Sequence, residues 1–252
     1  MAKTIAVTNQ KGGVGKTTTG VNLCAALKEM GKNVLLVDCD PQGNASSGMG
    51  VPKNTKPGTY EMMSSGVAPS DCIIKTEYGD CIPTNKELAA ASVELIDKDR
   101  REFVLKDALR TLYTEYDYII IDCPPSLELL TVNALVAANS VLIPMQCEYF
   151  ALEGIADLLT SIRMCNRRLN RGLDVEGVLL TMYDPRTNLT VQVANELKKY
   201  LGNKLYETTI PRSVRLAEAP SHGMPVTAYD KNSKGSLAYK ALAREFIKRT
   251  EG

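Results

Sequence analysis

The sequence predicts an α/β fold with a doubly wound, mostly parallel sheet flanked by helices. Short apolar segments alternate with segments of helical periodicity along the 252 residues, which is the pattern of repeated β–α units. Several short segments, such as Val34-Leu35-Leu36-Val37 and Tyr118-Ile119-Ile120-Ile121, are apolar at every position. Such strands are typical of a parallel sheet that helices cover on both faces.

The predicted elements follow in chain order. Strands are expected at residues 4–8, 33–38, 118–122, 140–144 and 177–181, with a short one near 208–210. Helical periodicity predicts helices at residues 16–30, 103–114, 127–138, 152–168, 191–200 and 236–249. Residues 51–101 hold turns and a short strand around 81–83, and we interpret them as an insertion packed on the sheet. We therefore expect residues 1–252 to form a single domain.

Composition narrows the function classes. Formal net charge is only +1, but residues 182–252 carry twelve Lys or Arg against seven Asp or Glu, a net of +5. A basic C-terminal third suits a nucleic-acid surface, although an ordinary solvated surface explains such an excess equally well. The seven cysteines lack CxxC spacing, which fits a reducing cytosol better than disulfides or zinc. With no signal-peptide pattern and no apolar run of 18 residues, we expect a cytoplasmic protein.

The stretch NQKGGVGKTTT, residues 9–19, predicts a phosphate-binding loop between the first strand and the first helix. Gly12, Gly13 and Gly15 allow backbone N–H groups to turn towards phosphate oxygens, and the helix adds its positive N-terminal end. The loop departs from GxxxxGK[ST], because Gln10 stands where the first glycine is expected and a second lysine follows it.

Within this loop the residue types suggest separate roles. Lys16 is expected to contact the β- and γ-phosphates of a nucleotide, Thr17 to ligate Mg²⁺ and Thr18 to bond the α-phosphate. Val14 is the remaining loop residue at the phosphates. The second lysine, Lys11, is either a solvated loop residue or a cation that contacts a different set of phosphates from the set that Lys16 contacts.

Acidic residues end two of the all-apolar strands. Asp122 closes YIIID, and Asp38 and Asp40 belong to VLLVDCDPQGN. Because parallel strands end at one edge of a sheet, these carboxylates are expected near the phosphate-binding loop, where such an enzyme needs an acid close to Mg²⁺. Each aspartate could alternatively be an ordinary helix cap or turn former.

The motifs KGGVGKT, DCDPQGNASSG and YIIIDCPPS resemble the ParA/Soj/MinD group of deviant Walker-A ATPases. The stretches IPMQCEYFALEG, GVLLTMYDPRTNL, IPRSVRLAEAPSHGMPV and YDKNSKG resemble its chromosome- or plasmid-partitioning ParA (Soj) branch. The resemblance covers nearly the whole chain. It implies a P-loop NTPase fold, ATP and Mg²⁺ as ligands, and ATP hydrolysis as the activity.

The resemblance also implies site roles. Lys11 matches the extra lysine that reaches ATP in the partner subunit of an ATP-sandwich homodimer. Asp40 matches the residue that orients the attacking water, while Asp38 and Asp122 match acids near Mg²⁺. Pro211 and Arg212 match the segment that contacts adenine.

In the ParA branch the ATP-bound dimer binds DNA without sequence preference, and a ParB-type centromere-binding partner stimulates hydrolysis. The resemblance thus implies a nucleoid-associated cytoplasmic protein with no membrane partner. The candidate DNA-binding residues lie in the basic C-terminal third: Arg186, Lys198, Lys199, Arg215, Lys231 and Lys234. Two alternatives remain open, a MinD-like membrane-cycling ATPase and an ATP-dependent scaffold without significant hydrolysis.

Overall fold

A computed structural model describes residues 1–148 and 151–252 of the chain. Two residues of the stretch IPMQCEYFALEG, Tyr149 and Phe150, lie outside the described residues. Within the described part, seven strands form one sheet in the order β3-β4-β2-β5-β1-β6-β7. The strands are β1 Lys3–Val7, β2 Val34–Asp38, β3 Ile74–Thr76, β4 Gly79–Ile82, β5 Tyr118–Asp122, β6 Ser140–Gln146 and β7 Asp174–Thr181.

All neighbouring strands are parallel except β3, which pairs with β4 in the antiparallel sense. The described residues contain ten α-helices and several single turns of 3₁₀- or π-type helix. The helices are α1 Lys16–Glu29, α2 Asn44–Gly48, α3 Leu88–Glu94, α4 Val104–Leu109, α5 Leu129–Ala137, α6 Ala151–Arg168, α7 Asn188–Leu201, α8 Val214–Glu218, α9 Val226–Tyr229 and α10 Lys234–Glu251. The predicted doubly wound α/β fold is confirmed.

Both faces of the sheet are covered, which explains the strands that are apolar throughout. In β5, Ile119 and Ile121 belong to the core on the face that carries α4 to α7. Their neighbour Ile120 belongs to the opposite core, with α1 and α10. Successive side chains of a strand point to opposite faces, so each core takes alternate residues of the same strand.

Three predictions about elements need correction. No regular strand forms at residues 208–210. The Ile210 N–H does donate to the Leu180 carbonyl of β7 at 2.8 Å, but the Thr208 N–H is bound by the Glu245 carboxylate at 2.8 Å, which interrupts the pairing. The helix predicted at 103–114 is reduced to α4 and a 3₁₀ turn. Residues 51–101 are more than an insertion lying on the sheet, since they supply its edge strand β3 and the adjoining strand β4.

Candidate functional site

Strand register brings the predicted acids and the glycine-rich loop to one edge of the sheet. Asp122 is level with Val7, the last residue of β1, and with Asp38, the last residue of β2. The glycine-rich loop leaves β1 directly after this row. The carboxyl ends of β1, β2 and β5 therefore surround the point at which the loop enters α1.

Two glycines give the loop its shape. Gly13 and Gly15 have φ angles of +73° and +88°, a region that residues with a Cβ rarely adopt. Gly15 is the residue preceding α1, where no side chain caps the helix and no acid occupies the first turn. The N–H groups at the start of α1 and its positive dipole end are consequently available to an anion.

Side chains from β6 and β7 hold the loop from the other side. Gln146 Nε2 donates to the Gly13 carbonyl at 2.9 Å, and Thr181 Oγ1 donates to the Val14 carbonyl at 2.8 Å. Both residues end an apolar strand, as the predicted aspartates do. Their position at a strand end could have identified Gln146 and Thr181 from the sequence, but we did not predict them as site residues.

The two lysines of the loop have different environments. Lys16 is buried, and its Nζ donates to the Lys11 carbonyl at 3.1 Å. Burial lowers the pKa of Lys16, while the nearby Asp122 opposes that shift. The Lys11 side chain is 56% exposed and its Nζ forms an ion pair with Glu148, just after β6. Lys16 is therefore directed into the loop, whereas Lys11 lies at the surface.

Asp122 has the most unusual environment of the three acids. It is fully buried, and neither carboxylate oxygen has a hydrogen-bond partner in the part of the chain that the structure describes. Burial, reinforced by the nearby Asp38 charge, raises the pKa of Asp122 well above its ordinary value, while the Thr17 hydroxyl, nearby but outside hydrogen-bonding geometry, and the Lys16 charge oppose the shift. Buried carboxylates are normally paired or bound to a metal. An unpartnered carboxylate beside Thr17 and Lys16 suits a divalent cation.

Residues 1–148 and 151–252 contain no group of three or more His, Cys, Asp or Glu side chains that could hold a metal ion. A cation at this edge would accordingly need oxygen ligands from elsewhere. Phosphate oxygens, water and a Thr hydroxyl usually complete a Mg²⁺ site of this kind. Thr17, at the start of α1, is half-buried and positioned to supply the hydroxyl.

Asp38 is engaged by the protein itself. Its carboxylate accepts hydrogen bonds from the Ser46 N–H and hydroxyl, both at 2.7 Å, and from the Asp40 N–H at 3.1 Å. Burial raises the pKa of this carboxyl to about 6, although these donors oppose the shift. These contacts indicate that Asp38 anchors the backbone between β2 and α2. Its direct role in metal binding stays a prediction.

Asp40 follows in the same junction. It is nearly buried, and its Oδ1 accepts the Gln42 N–H at 3.0 Å. Gly43 N–H in turn bonds the Asp40 carbonyl at 2.9 Å, so the acid lies in a defined turn between β2 and α2. Its negative charge also acts on Lys16 and Asp122.

A cavity of about 280 Å³ adjoins the loop. Pro211 and Arg212 line it together with Gly15 and Thr18, so the predicted adenine-contacting segment does reach the loop. Met182, another lining residue, has a φ of +50°, which is uncommon for a residue with a side chain. The cavity extends from the start of α1 to α10 and is a suitable compartment for a nucleoside next to its phosphates.

The six predicted DNA-binding residues are all exposed or half-buried, but they are not equally free. Arg186 forms a bidentate pair with Asp184, at 2.9 and 2.7 Å. Arg215 lies 2.9 Å from Glu218 and 3.4 Å from Asp230. Lys199 pairs with Glu196 at 2.7 Å. Within the described residues, the others (Lys198, Lys231 and Lys234) form no ion pair.

The C-terminal helix α10 ends in the basic residues Lys248 and Arg249, and a basic amphipathic helix can bind a lipid surface with its apolar face. Its apolar residues Tyr239, Leu242, Ala243 and Phe246 are buried, and they belong to the core shared with α1. Across the described residues, no helix combines the length and the apolar character that crossing a membrane requires.

Comparison with known proteins identifies relatives along the whole chain. A family model described as an AAA domain matches residues 2–175. Sporulation initiation inhibitor protein Soj of Bacillus subtilis (strain 168) is 55% identical over 97% of this chain and 98% of its own length. Chromosome partitioning protein ParA of Myxococcus xanthus (strain DK1622) is 50% identical over 99% of this chain and 89% of its own.

Solved structures agree with the fold. One is described as cobyrinic acid a,c-diamide synthase from Mycobacterium smegmatis with bound ATP analog and magnesium. It is 35% identical with a TM-score of 0.86, over 100% of this chain and 97% of the other. Another, septum site-determining protein MinD from Pyrococcus horikoshii OT3 with Mg-ADP, is 26% identical with a TM-score of 0.82, over 98% and 97%. Together with the site described above, these relatives show that the chain belongs to the Soj/ParA family of chromosome-partitioning P-loop ATPases.

Proposed function

We propose that this chain, acting as one ATPase domain over residues 1–252, is a DNA-partitioning ATPase whose dimerisation is switched by ATP. The observation that carries this proposal is the contrast between the two loop lysines. Lys16 is buried within its own loop, whereas Lys11 is exposed beside it and paired with Glu148. One loop thus offers two cations on different sides, as two facing nucleotide sites require.

The loop residues would hold the phosphates of ATP. Backbone N–H groups from Gly12 to Thr18 and the start of α1 form the anion site, and Lys16 adds a fixed positive charge. Gln146 and Thr181 keep the loop in shape through their bonds to its carbonyl oxygens. Pro211 and Arg212 would contact the base in the adjoining cavity. The ATP analog and magnesium in the Mycobacterium smegmatis structure support this assignment.

Thr17 and Asp122 would hold Mg²⁺, with Asp122 acting through a water molecule. When bound, the ion neutralises charge on the β- and γ-phosphate oxygens. The unpartnered carboxylate of Asp122 supports the assignment, because a cation would satisfy a buried charge that the protein leaves bare. Asp38, held by three donors, would position the turn that carries Asp40 rather than bind the ion.

Hydrolysis would depend on Asp40 and Lys11. Asp40, in its fixed turn, would orient the attacking water, since positioning contributes most of the catalysis in phosphoryl transfer. Lys11 would leave Glu148 and contact the phosphates of the partner's ATP, in the manner of an arginine finger. Dimerisation and the stabilisation of the transition state would therefore share one residue.

Dimerisation would create the DNA-binding form. A monomer with a net charge of +1 has little attraction for DNA, but two copies present each basic surface twice to the same duplex. A ParB-type partner would stimulate hydrolysis and return the protein to monomers. The kinship with Soj and ParA supports this cycle and a cytoplasmic, nucleoid-associated location.

The proposal is tested by measuring binding of the protein to non-specific duplex DNA and to anionic liposomes, each with ATP, ADP or no nucleotide. We expect binding to DNA that requires ATP and no binding to liposomes. Binding to liposomes but not to DNA would reject the partition function in favour of a membrane-cycling ATPase. ATP-dependent DNA binding without hydrolysis, even with a ParB-type partner present, would instead identify a scaffold.

A further inference from the structure

The strongest concentration of positive charge lies outside the residues assigned so far. Four of the twelve arginines of the chain fall between residues 163 and 171, and no Asp or Glu occurs in that stretch. They are Arg163, Arg167, Arg168 and Arg171, which we call the α6 arginine patch. All four are exposed. Among the residues that the structure describes, none of them forms an ion pair.

The fold presents this patch on a rigid surface. Ile155, Leu158 and Ile162 bury the opposite face of α6 against the sheet. The turn after the helix is fixed at both ends. Asn166 Nδ2 donates to the Arg171 carbonyl at 3.1 Å, and buried Asn170 donates to three carbonyl oxygens at the end of α5. The backbone that carries the arginines is therefore ordered before any ligand binds.

The patch lies far from the phosphate-binding loop. Helix α6 returns from the end of β6 to the start of β7, and its 18 residues span about 27 Å. Its last turn, with Arg167 and Arg168, is thus at the edge of the sheet opposite the phosphate-binding loop. If two chains associate through their nucleotide edges, both patches remain accessible.

Basic residues elsewhere on the surface differ from the α6 arginine patch, because they form ion pairs with acids. At the same edge of the sheet, Lys204 is bound by Asp174 at 2.8 Å and Lys199 by Glu196 at 2.7 Å. Arg186 and Arg215, two of the predicted DNA-binding residues, are likewise paired with acids. One or two basic residues suffice to complement the dipole of a helix C-terminus. Four unpaired arginines exceed that requirement.

We propose that the α6 arginine patch is a second contact surface for the phosphate backbone of duplex DNA. The guanidinium group binds phosphate oxygens in a bidentate manner and without sequence preference, as such a contact requires. Lys198, exposed in the last turn of neighbouring α7 and without an acidic partner in the described chain, would extend the surface. The inference rests on the proposed function, because it assumes an ATP-dependent DNA-binding protein.

The test is the salt dependence of binding to non-specific duplex DNA at saturating ATP, for the native chain and for Arg167→Gln/Arg168→Gln/Arg171→Gln. The negative slope of log affinity against log salt should become shallower by about 0.9 for each phosphate that the protein no longer neutralises, so by about 1 to 3 overall. We expect the variant to retain its thermal unfolding midpoint and ATP-dependent dimerisation, since the patch is remote from both the core and the loop.

Two controls test whether the effect comes from the positive charge of the patch, and not from the shape of the guanidinium groups or from any change at this edge of the sheet. Arg167→Lys/Arg168→Lys/Arg171→Lys keeps the charges and should retain most of the slope. Asp174→Asn/Lys204→Gln removes an ion pair at the same edge with no net change in charge and should leave the slope unchanged.

The outcomes distinguish the two proposals. An unchanged slope in the triple Gln variant, with native DNA binding intact, would overturn the patch alone. Loss of binding to anionic vesicles by that variant, with its DNA binding unaffected, would also overturn it, by identifying a lipid surface instead. A native chain that binds no DNA with ATP would overturn the proposed function and this inference together.

Discussion

Lys11→Ala is expected to abolish ATP-dependent dimerisation while ATP binding by the single chain changes no more than a few-fold. Lys16, the glycines and the start of α1 remain in place in this variant, so the phosphate-binding loop is intact. Hydrolysis should fall by about 10³-fold or more, the range found when an arginine finger is removed. Analytical ultracentrifugation with ATP and with ADP, together with ATP turnover, measures both effects.

Glu148→Gln is the matched control. It removes the acid that pairs with Lys11 but keeps the lysine itself. We expect this variant to dimerise with ATP at least as readily as the native chain, because Lys11 no longer has to leave an ion pair. A Lys11→Ala protein that dimerises and hydrolyses ATP normally would mean that Lys11 is only a solvated loop residue.

Asp122→Asn is expected to weaken Mg²⁺-dependent turnover while stabilising the nucleotide-free protein. The substitution removes a buried charge that has no hydrogen-bond partner among the described residues. In magnesium-free buffer at pH 8 it should raise the free energy of unfolding by about 1 kcal/mol or more. The magnesium concentration needed for half-maximal turnover should rise about 10- to 100-fold, as for loss of a group that holds a metal through water.

The direction of the pH effect follows from the raised pKa of Asp122. A carboxyl whose pKa is higher in the folded than in the unfolded chain binds its proton more tightly when folded. Its contribution to the free energy of unfolding is therefore complete below the unfolded-state pKa, about 4, and is lost as pH rises through the folded-state value. The advantage of Asp122→Asn should accordingly be largest at pH 8 and should shrink at pH 5.

Asp38→Asn, at the end of the neighbouring strand β2, is the control, and we expect it to lower the free energy of unfolding instead of raising it. Its carboxylate accepts three hydrogen bonds, and an amide would turn a donor towards one of those donors. We expect a loss of about 1–3 kcal/mol in the free energy of unfolding, because the conflict with these donors outweighs the removal of a buried charge whose pKa is raised only to about 6. Urea unfolding of both variants, followed at pH 5 and pH 8, gives the comparison. Stabilisation by Asp38→Asn, or destabilisation by Asp122→Asn at pH 8, would contradict the assigned environments.

The sequence was most informative where one local pattern determines the structure. The all-apolar segments at β2 and β5 predicted doubly covered parallel strands, because both faces of a parallel sheet must be buried. Loop spacing predicted where phosphates would lie, and strand ends predicted that Asp38 and Asp122 would lie close together. In each case a few consecutive residues and one rule of chain geometry are sufficient.

Interactions between distant parts of the chain could not be predicted in this way. Gln146 and Thr181 support the loop from 133 and 167 residues away. The strand predicted at 208–210 is interrupted by Glu245, which accepts the Thr208 N–H, although Ile210 still bonds β7. On the surface, Asp184 forms an ion pair with Arg186, two residues along the chain. This pairing makes Arg186 less available for DNA, which the sequence prediction did not take into account.

The central claim, that Lys11 acts on the nucleotide of a partner subunit, is tested most directly by mixing two inactive variants. Lys11→Ala keeps Asp40, and Asp40→Ala keeps Lys11, so neither variant alone can form a complete site. In a mixed dimer, the Lys11→Ala chain would receive the lysine of its partner and regain one complete site. We predict that equimolar mixing restores ATP turnover to about a quarter of the native value if the chains pair at random, and to no more than about half if every dimer is mixed, since one of the two sites in a mixed dimer is complete. Turnover that stays at the level of the separate variants, although mixed dimers form, would contradict the claim.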